Sequence, residues 1–331
     1  MKKIVILLAF YASFVSCEKA LFKPDQASTD PLKVFDYLWS EVDKKYSYFD
    51  LKKVDWDRIQ SMYRARLSSH SSEEELFDVL ATMLKELKDD HTNLISPFNV
   101  SRYDVALRND PNFNFRTIQE IMPNMRITGA FWHDTLPLSN VAYLRYGSFM
   151  SGVSDADLDY ILSLYRNTKG LILDLRENGG GDIFNIAPIL ERFNDQRRQV
   201  GYFKTRNGPG RNDFSDPSGF FIGSHKGIIY DKPVIVLIDR GSYSATTMFA
   251  VAAKALPSVT LIGDTTGGGG GLPNGGQLPN GWTYRFSVSQ LLDLDLNNYA
   301  ELGVPPDIYA KFDWTNLKKD EIIERALLEL K

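Results

Sequence analysis

Apolar positions recur at helical spacing early in the chain: Leu32, Phe35, Leu38, Trp39 and Val42, then a second stretch from Trp56 to Leu67. Ser72 followed by Glu75 has the form of a capping box, and Leu76, Val79, Leu80, Met83, Leu84 and Leu87 form an apolar stripe behind it. The pattern predicts a helix ending near Lys88, which leaves Asp89-Asp90-His91-Thr92 in a loop at a helix end. From Asn99 to Pro137 the pattern is weak and predicts only short strands and turns. Strand and helix then alternate. Val141–Tyr146, Leu171–Leu175, Val234–Ile238 and Val259–Ile262 read as strands; Asp155–Tyr165, Ile183–Phe193 and Ala245–Leu256 read as helices. Such alternation implies right-handed crossovers and a largely parallel sheet, hence an α/β fold. Residues 194–231, rich in Gly, Asn and aromatics, interrupt it and predict an edge hairpin or flap.

The N-terminus follows another pattern. Met1-Lys2-Lys3 is a short basic region, Ile4–Val15 is an apolar run too short to span a bilayer comfortably, and the run stops at Ser16-Cys17. Cys17 is the only cysteine, which suits an exported chain without disulfides. It is either an incidental thiol or the lipidated cysteine of a bacterial lipoprotein. The lipoprotein reading makes residues 1–17 a signal peptide and 18–31 a polar tether, and it expects a lipid-anchored protein of the bacterial cell envelope, at the outer membrane. Residues 32–98 then form a helical subdomain and 99–331 a catalytic domain. A net charge of −4 gives no reason to expect a nucleic-acid partner.

Two strand-to-turn corners carry the candidate chemistry. Leu171–Asp182 ends in Asn178-Gly179-Gly180-Gly181, and Val234–Thr247 passes through Gly241-Ser242-Tyr243-Ser244-Ala245 into an apolar helix. A buried strand ending in a tight turn lifts one side chain into a cleft and aims backbone N–H groups at it. Ser244 is therefore the candidate nucleophile, with the Ala245 N–H and the glycine turn as oxyanion donors; a serine capping a helix is the plainer alternative. The glycine turn lacks the spacing of a dinucleotide or P-loop site. Four histidines compete as base: His70, His91, His133 and His225. His91 is favoured by the acidic pair before it and Thr92 after it. Lys254 lies ten residues along the helix from Ser244, about 15 Å at helical pitch, too far to take its proton. The run Gly267–Gly271 reads as a flexible loop or a substrate-binding lip, and no residue cluster has metal-ligand spacing, so neither a metal nor another cofactor is expected.

Six segments in order resemble the tail-specific (C-terminal processing) serine peptidases and the tricorn-core-like peptidases. They are Asp-Asp-His-Thr at 89–92, Val-Ala-Tyr-Leu-Arg-Tyr-Gly-Ser-Phe at 141–149, Leu-Asp-Leu-Arg-Glu-Asn-Gly-Gly-Gly at 173–181, Gly-Ser-Tyr-Ser-Ala-Thr-Thr at 241–247, Gly-Asp-Thr-Thr-Gly-Gly at 263–268 and Glu-Leu-Gly-Val-Pro-Pro-Asp at 301–307. The resemblance implies a crotonase-like (ClpP-like) ββα spiral with Ser244 as nucleophile, and Gly180 and Ala245 as oxyanion donors. The lysine of the processing branch is replaced by the Gly267–Gly271 run. The resemblance therefore points to the histidine branch, with His91 as base and Glu301 orienting it, and with Asp90 where that branch has a relay hydroxyl. The interval from Ser96 to Asn140 is too short for a PDZ domain of roughly 80–100 residues. The implied protein is a serine endopeptidase acting on peptide or protein substrates. A catalytically inactive peptide- or glycan-binding envelope lipoprotein on the same fold is the alternative.

Overall fold

The computed structural model describes residues 27–103 and 110–331. The expected signal segment ending at Cys17, and residues 18–26 of the expected tether, lie outside them. The described chain opens with helices α1 (Pro31–Lys45), α2 (Phe49–Lys52), α3 (Trp56–Arg64) and α4 (Glu73–Lys85). The longer three begin on side-chain caps. Asp30 accepts from the Leu32 N–H and Asp55 from the Arg58 N–H, while Ser72 and Glu75 complete the capping box at α4. Their apolar faces meet in one cluster that includes Phe35, Leu38, Trp56, Tyr63, Leu80 and Leu84.

The chain continues through β1 (Asn93–Ile95), β2 (Val100–Ser101), α5 (Phe115–Ile121), β3 (Arg126–Thr128), β4 (Phe131–Thr135) and β5 (Ala142–Tyr146). Next come α6 (Asp155–Tyr165), β6 (Leu171–Asp174), α7 (Ile186–Leu190), β7 (Arg198–Thr205), β8 (Ser218–Ile222), β9 (Val234–Ile238) and α8 (Ala245–Lys254). The last elements are β10 (Val259–Gly263), β11 (Pro273–Gln277), β12 (Thr283–Ser287), β13 (Ser289–Leu292), β14 (Ile308–Tyr309) and α9 (Glu321–Glu329).

The fold is α/β. A seven-stranded sheet has the order β14-β10-β9-β6-β5-β4-β3, parallel from β14 to β5 and antiparallel from β5 to β3. Both faces of its centre are covered. Leu171, Leu173, Val234 and Val236 pack with residues of α6 and α8, whereas Ile172, Ile235 and Leu237 pack with Ile322 and Ile323 of α9. Strands buried on both faces have no polar side to show, which is why Leu171–Leu173 and Val234–Ile238 are apolar throughout.

Two departures from the sequence reading have physical causes. The boundary expected between residues 98 and 99 falls inside a second, antiparallel sheet, β11-β12-β1-β2. There Leu94 faces Tyr284 in register, and both join Trp282 and Phe286 in the core under the helices. The helix expected over Ile183–Phe193 is broken into a 3₁₀ turn, α7 and a second 3₁₀ turn; Pro188 within it has no N–H to give. The expected edge hairpin or flap over 194–231 contains the hairpin β7–β8, to which β13 adds a third strand.

Candidate active site

The nucleophile candidate stands on a strained corner between two buried elements. After β9, Asp239 Oδ1 accepts from the backbone N–H groups of Ser242 (3.0 Å) and Glu177 (2.9 Å), and Ser242 Oγ donates to the Leu175 carbonyl (2.8 Å). These bonds lace the corner to the end of β6. Ser244 follows at φ 57°, ψ −115°, a conformation that favours glycine, and α8 begins at Ala245. Its backbone is fixed from below, where the Ser244 N–H donates to the Gly268 carbonyl at 3.0 Å and Thr247 Oγ1 donates to the same oxygen at 2.7 Å.

That support corrects the reading of the glycine run. Gly267–Gly271 is buried. Ideal Cβ atoms there would fall within 3.0 Å of neighbouring atoms, among them the Arg240 carbonyl oxygen, the Glu301 carbonyl oxygen and the Tyr243 ring. Glycine is needed here because backbone packs on backbone, and the run is a floor beneath Ser244 instead of a mobile lip.

The base candidate arrives from the helical region. Beyond α4 the chain turns through Lys88 at φ 48°, Asp89 Oδ1 accepts from the His91 N–H (2.8 Å), and the Thr92 N–H closes on the Asp89 carbonyl (3.0 Å). The turn sets the imidazole edge-on to Tyr243, with 5.1 Å between ring centroids. His91 Nε2 then lies 2.8 Å from Ser244 Oγ. The sequence separation is 153 residues, bridged by the fold.

The other candidates are engaged elsewhere. His70 is exposed and bonds Ser69, His133 sits between Thr128 and Tyr165, and His225 lies 3.8 Å from Asp155. Lys254 pairs with Asp307. Glu301 is brought into the pocket behind His91, but its Oε1 accepts from Lys52 Nζ at 2.5 Å. The expected contact between Glu301 and the imidazole is not formed. The hydroxyl beside the ring is that of Ser287, whose Oγ lies 3.4 Å from His91 Nδ1 and donates to Asp89 Oδ2 at 2.9 Å.

Burial dominates the electrostatics. It holds the His91 pKa below the ordinary 6.5, with Asp89 opposing and Arg285 and Lys52 adding to the depression. Burial also presses upward on Asp89, yet Lys52 and His91 overcome it and keep that carboxyl below its usual value. Glu301 is pushed up to about 7 by burial and by Asp89, against the pull of Lys52.

The oxyanion expectation needs one change. The Ala245 N–H has no hydrogen-bond partner among the described residues, but the Gly180 N–H donates to Asn178 Oδ1 at 3.0 Å. The neighbouring Gly181 N–H has no such partner among the described residues. Gly180 instead makes room: at φ 90°, a Cβ there would sit 2.9 Å from Ala245 N and from Ser244 Cβ. A crevice of about 590 Å³ opens over this point, bordered by His91, Gly179–Gly181, Ser244, Arg240 and Arg285. An uncharged imidazole beside a hydroxyl, with unpaired N–H groups close by, can deprotonate the hydroxyl and stabilise an adduct of a carbonyl carbon.

Residues 140–310 match the model of Peptidase family S41, and residues 28–85 match the Tricorn protease C1 domain. The carboxy-terminal processing protease CtpA of Bacillus subtilis is 27% identical over 188 residues, which are 54% of this chain and 38% of that protein. The Nisin-resistance protein of Lactococcus lactis is 27% identical over 179 residues, 51% of this chain and 54% of that one. The chain thus spans about two fifths or less of the first processing proteases it matches. A solved structure from Parabacteroides merdae, assigned as a peptidase, is 38% identical with a TM-score of 0.88, covering 92% of this chain and 97% of that one. The tricorn protease structure, 17% identical with a TM-score of 0.57, covers 91% of this chain and 36% of that one, and shares the fold.

Proposed function

Because the chain belongs to peptidase family S41, we propose that it is a serine endopeptidase of the bacterial cell envelope. It cleaves peptide or protein substrates through an acyl-enzyme on Ser244. The observation that carries this reading is the 2.8 Å approach of His91 Nε2 to Ser244 Oγ. Ser244 Oγ attacks the scissile carbonyl while its proton passes to Nε2; the leaving amine takes that proton, and water then releases the acyl group by the same route in reverse. The N–H groups of Ala245 and Gly181 receive the developing oxyanion, each contributing roughly 3–4 kcal/mol. A bare binding module has no need of an imidazole aligned on a strained serine, and this favours the enzyme over the inactive alternative. Attachment through a lipid on Cys17 completes the proposal and rests on the N-terminal sequence pattern alone.

The test is activity of the protein lacking residues 1–17 toward a fluorophosphonate probe and toward casein. Covalent labelling mapped to Ser244, with casein turnover lost in His91→Ala, is expected. Turnover unaffected by His91→Ala would remove the proposed base.

The depressed His91 pKa has a readable sign. The base is competent when neutral, so kcat/KM should rise with pH, and the rise should centre below 6.5 because the folded-state pKa lies below that value. A pH profile from about pH 4.5 to 8 checks it. An inflection above 6.5 would contradict the buried environment described for the ring.

Gly180→Ala should damage the site by crowding. The new Cβ meets the Tyr243 carbonyl oxygen at 2.6 Å and Ala245 N at 2.9 Å, on a backbone at φ 90°. A fall in kcat/KM of about 10²-fold is expected, as for loss of one oxyanion donor. Strain of about 1–3 kcal/mol should also lower the Tm in a thermal melt.

A further inference from the structure

Two carboxylates, Asp89 and Glu301, are buried behind the His91 ring, and their partners differ. Asp89 grips the turn that carries His91 through one oxygen, Oδ1, which accepts the His91 N–H at 2.8 Å and lies 3.4 Å from the Tyr243 hydroxyl. Its other oxygen accepts from Ser287 Oγ at 2.9 Å, and that hydroxyl lies 3.4 Å from His91 Nδ1. Glu301 accepts from Lys52 through Oε1, and its Oε2 has no hydrogen-bond partner among the described residues. Lys52 sits at the end of α2, so the helical region supplies a cation to the floor of the site.

We infer that Asp89, acting through Ser287, is the positioning carboxylate for His91, while Glu301 serves as counter-ion to Lys52 and does not orient the imidazole. The inference rests on the peptidase reading of Ser244 and His91. A hydroxyl between ring and carboxylate links the two. Ser287 donates to Asp89, its lone pair faces Nδ1 at 3.4 Å, the Gly271 backbone carbonyl is a second acceptor for the ring, and the Nε2 lone pair is left facing Ser244. When Nε2 takes the serine proton, the Nδ1–H···Ser287···Asp89 chain remains in place and no proton moves to Asp89.

The charges support the same division. Asp89 and Lys52 are both ionised, and Glu301, pushed up to about 7, carries part of a further negative charge near neutrality, so the imidazolium formed during acylation meets a pocket with no excess of positive charge. The phenols of Tyr46, Tyr48 and Tyr243 face the pocket but stay uncharged, because burial and the two carboxylates raise their pKa values. Arg285 on β12 acts on the ring as a further positive charge. Removing Lys52 would place two unbalanced carboxylates in one apolar enclosure, and one would take up a proton.

The experiment compares Asp89→Asn, Ser287→Ala and Glu301→Gln in the protein lacking residues 1–17, using peptide kinetics against pH and the rate of fluorophosphonate labelling. Asp89→Asn should lower kcat about 10³–10⁴-fold with KM nearly unchanged, the range seen when an orienting carboxylate is made neutral. Its pH inflection should move to lower pH, because Asp89 is the carboxylate that raises the His91 pKa. Ser287→Ala should act in the same direction but less, roughly 10–100-fold, and add little on top of Asp89→Asn. Glu301→Gln should stay within about tenfold of wild type, since it touches no atom of the ring. The shift in inflection and the kcat-only effect separate positioning from mere loss of structure, and Ser287→Ala gives a second reading should Asp89→Asn fold poorly. Equal losses in Asp89→Asn and Glu301→Gln, or a loss in Glu301→Gln alone, would overturn the assignment. A wild-type protein unlabelled at Ser244 would overturn the peptidase reading beneath it.

Discussion

Ser244→Gly is expected to silence the protein and at the same time make it more stable than Ser244→Ala. The corner holds a residue with a Cβ at φ 57°, ψ −115°, where only glycine is unstrained, and such a position costs roughly 1–3 kcal/mol. It persists because both flanks are over-determined: β9 is buried along its length, and Ser242 and Thr246 are tied to the Leu175 and Asn178 carbonyls. Alanine keeps the Cβ and the strain, whereas glycine releases it. The release is offset in part by the greater freedom glycine gives the unfolded chain, about 0.4–1 kcal/mol. A net gain near 1 kcal/mol should appear as a Tm a few degrees higher for Ser244→Gly than for Ser244→Ala. Both variants should lose the nucleophile's contribution, a fall in kcat of at least about 10⁴-fold. Parallel thermal melts and peptide assays decide it. A glycine variant that melts below the alanine variant would show that the corner stores no strain.

The parts of this site legible in the sequence are those whose signal is local. Leu171–Asp174 and Val234–Ile238 announce themselves as doubly covered strands, and the Ser72/Glu75 box fixes where α4 starts and so where His91 emerges. Ser244 could be named because the strand, the small residues and the apolar helix are consecutive. Ser287 and Lys52 could not. Ser287 closes β12, and it reaches Asp89 only because β12 pairs with β1 across more than 180 residues of intervening chain. Lys52 is the first of two adjacent lysines at the end of a short helix; nothing nearby shows that it turns inward to Glu301 while Lys53 takes a left-handed cap. The glycine run misled for the opposite reason. Composition alone cannot tell chain freedom from close backbone packing, and Gly268 and Gly270 are pressed against Glu301 and Ala300. The sheet β11-β12-β1-β2 was hidden similarly, because a helical pattern ending near Lys88 gives no hint that the next strand belongs to a sheet built with residues 273–287.

The same long-range logic makes Arg176 the residue whose loss should hurt stability most. Its guanidinium, fully buried, donates to both oxygens of Asp174 at 3.0 and 2.6 Å and to Asp320 Oδ2 at 2.8 Å. Asp320 in turn caps α9 by accepting from the Ile322 and Ile323 N–H groups. One side chain therefore clamps the end of β6, just before the Asn178–Gly181 turn, to the C-terminal helix. Arg176→Met leaves two carboxylates buried without their cation, a change that typically costs about 3–5 kcal/mol. Arg145, 3.7 Å from Asp174, remains and should hold the loss toward the lower end. The pH dependence distinguishes this from a packing defect. In the wild type, burial presses the Asp174 pKa up but Arg176 prevails and holds it below 3.8, so its stabilisation is present above that value and lost as pH falls through the folded pKa. In the variant, burial acts with less opposition and the folded pKa rises, so protonation relieves the variant as pH falls. The deficit against wild type should be largest near neutrality and shrink toward about pH 4, and Asp174→Asn added to Arg176→Met should recover part of it at pH 7. Denaturant unfolding at several pH values reads both. A deficit that is constant with pH and unmoved by the second substitution would mean that Arg176 acts through its packing against Phe113, 4.9 Å from the ring, and that its charge contributes nothing.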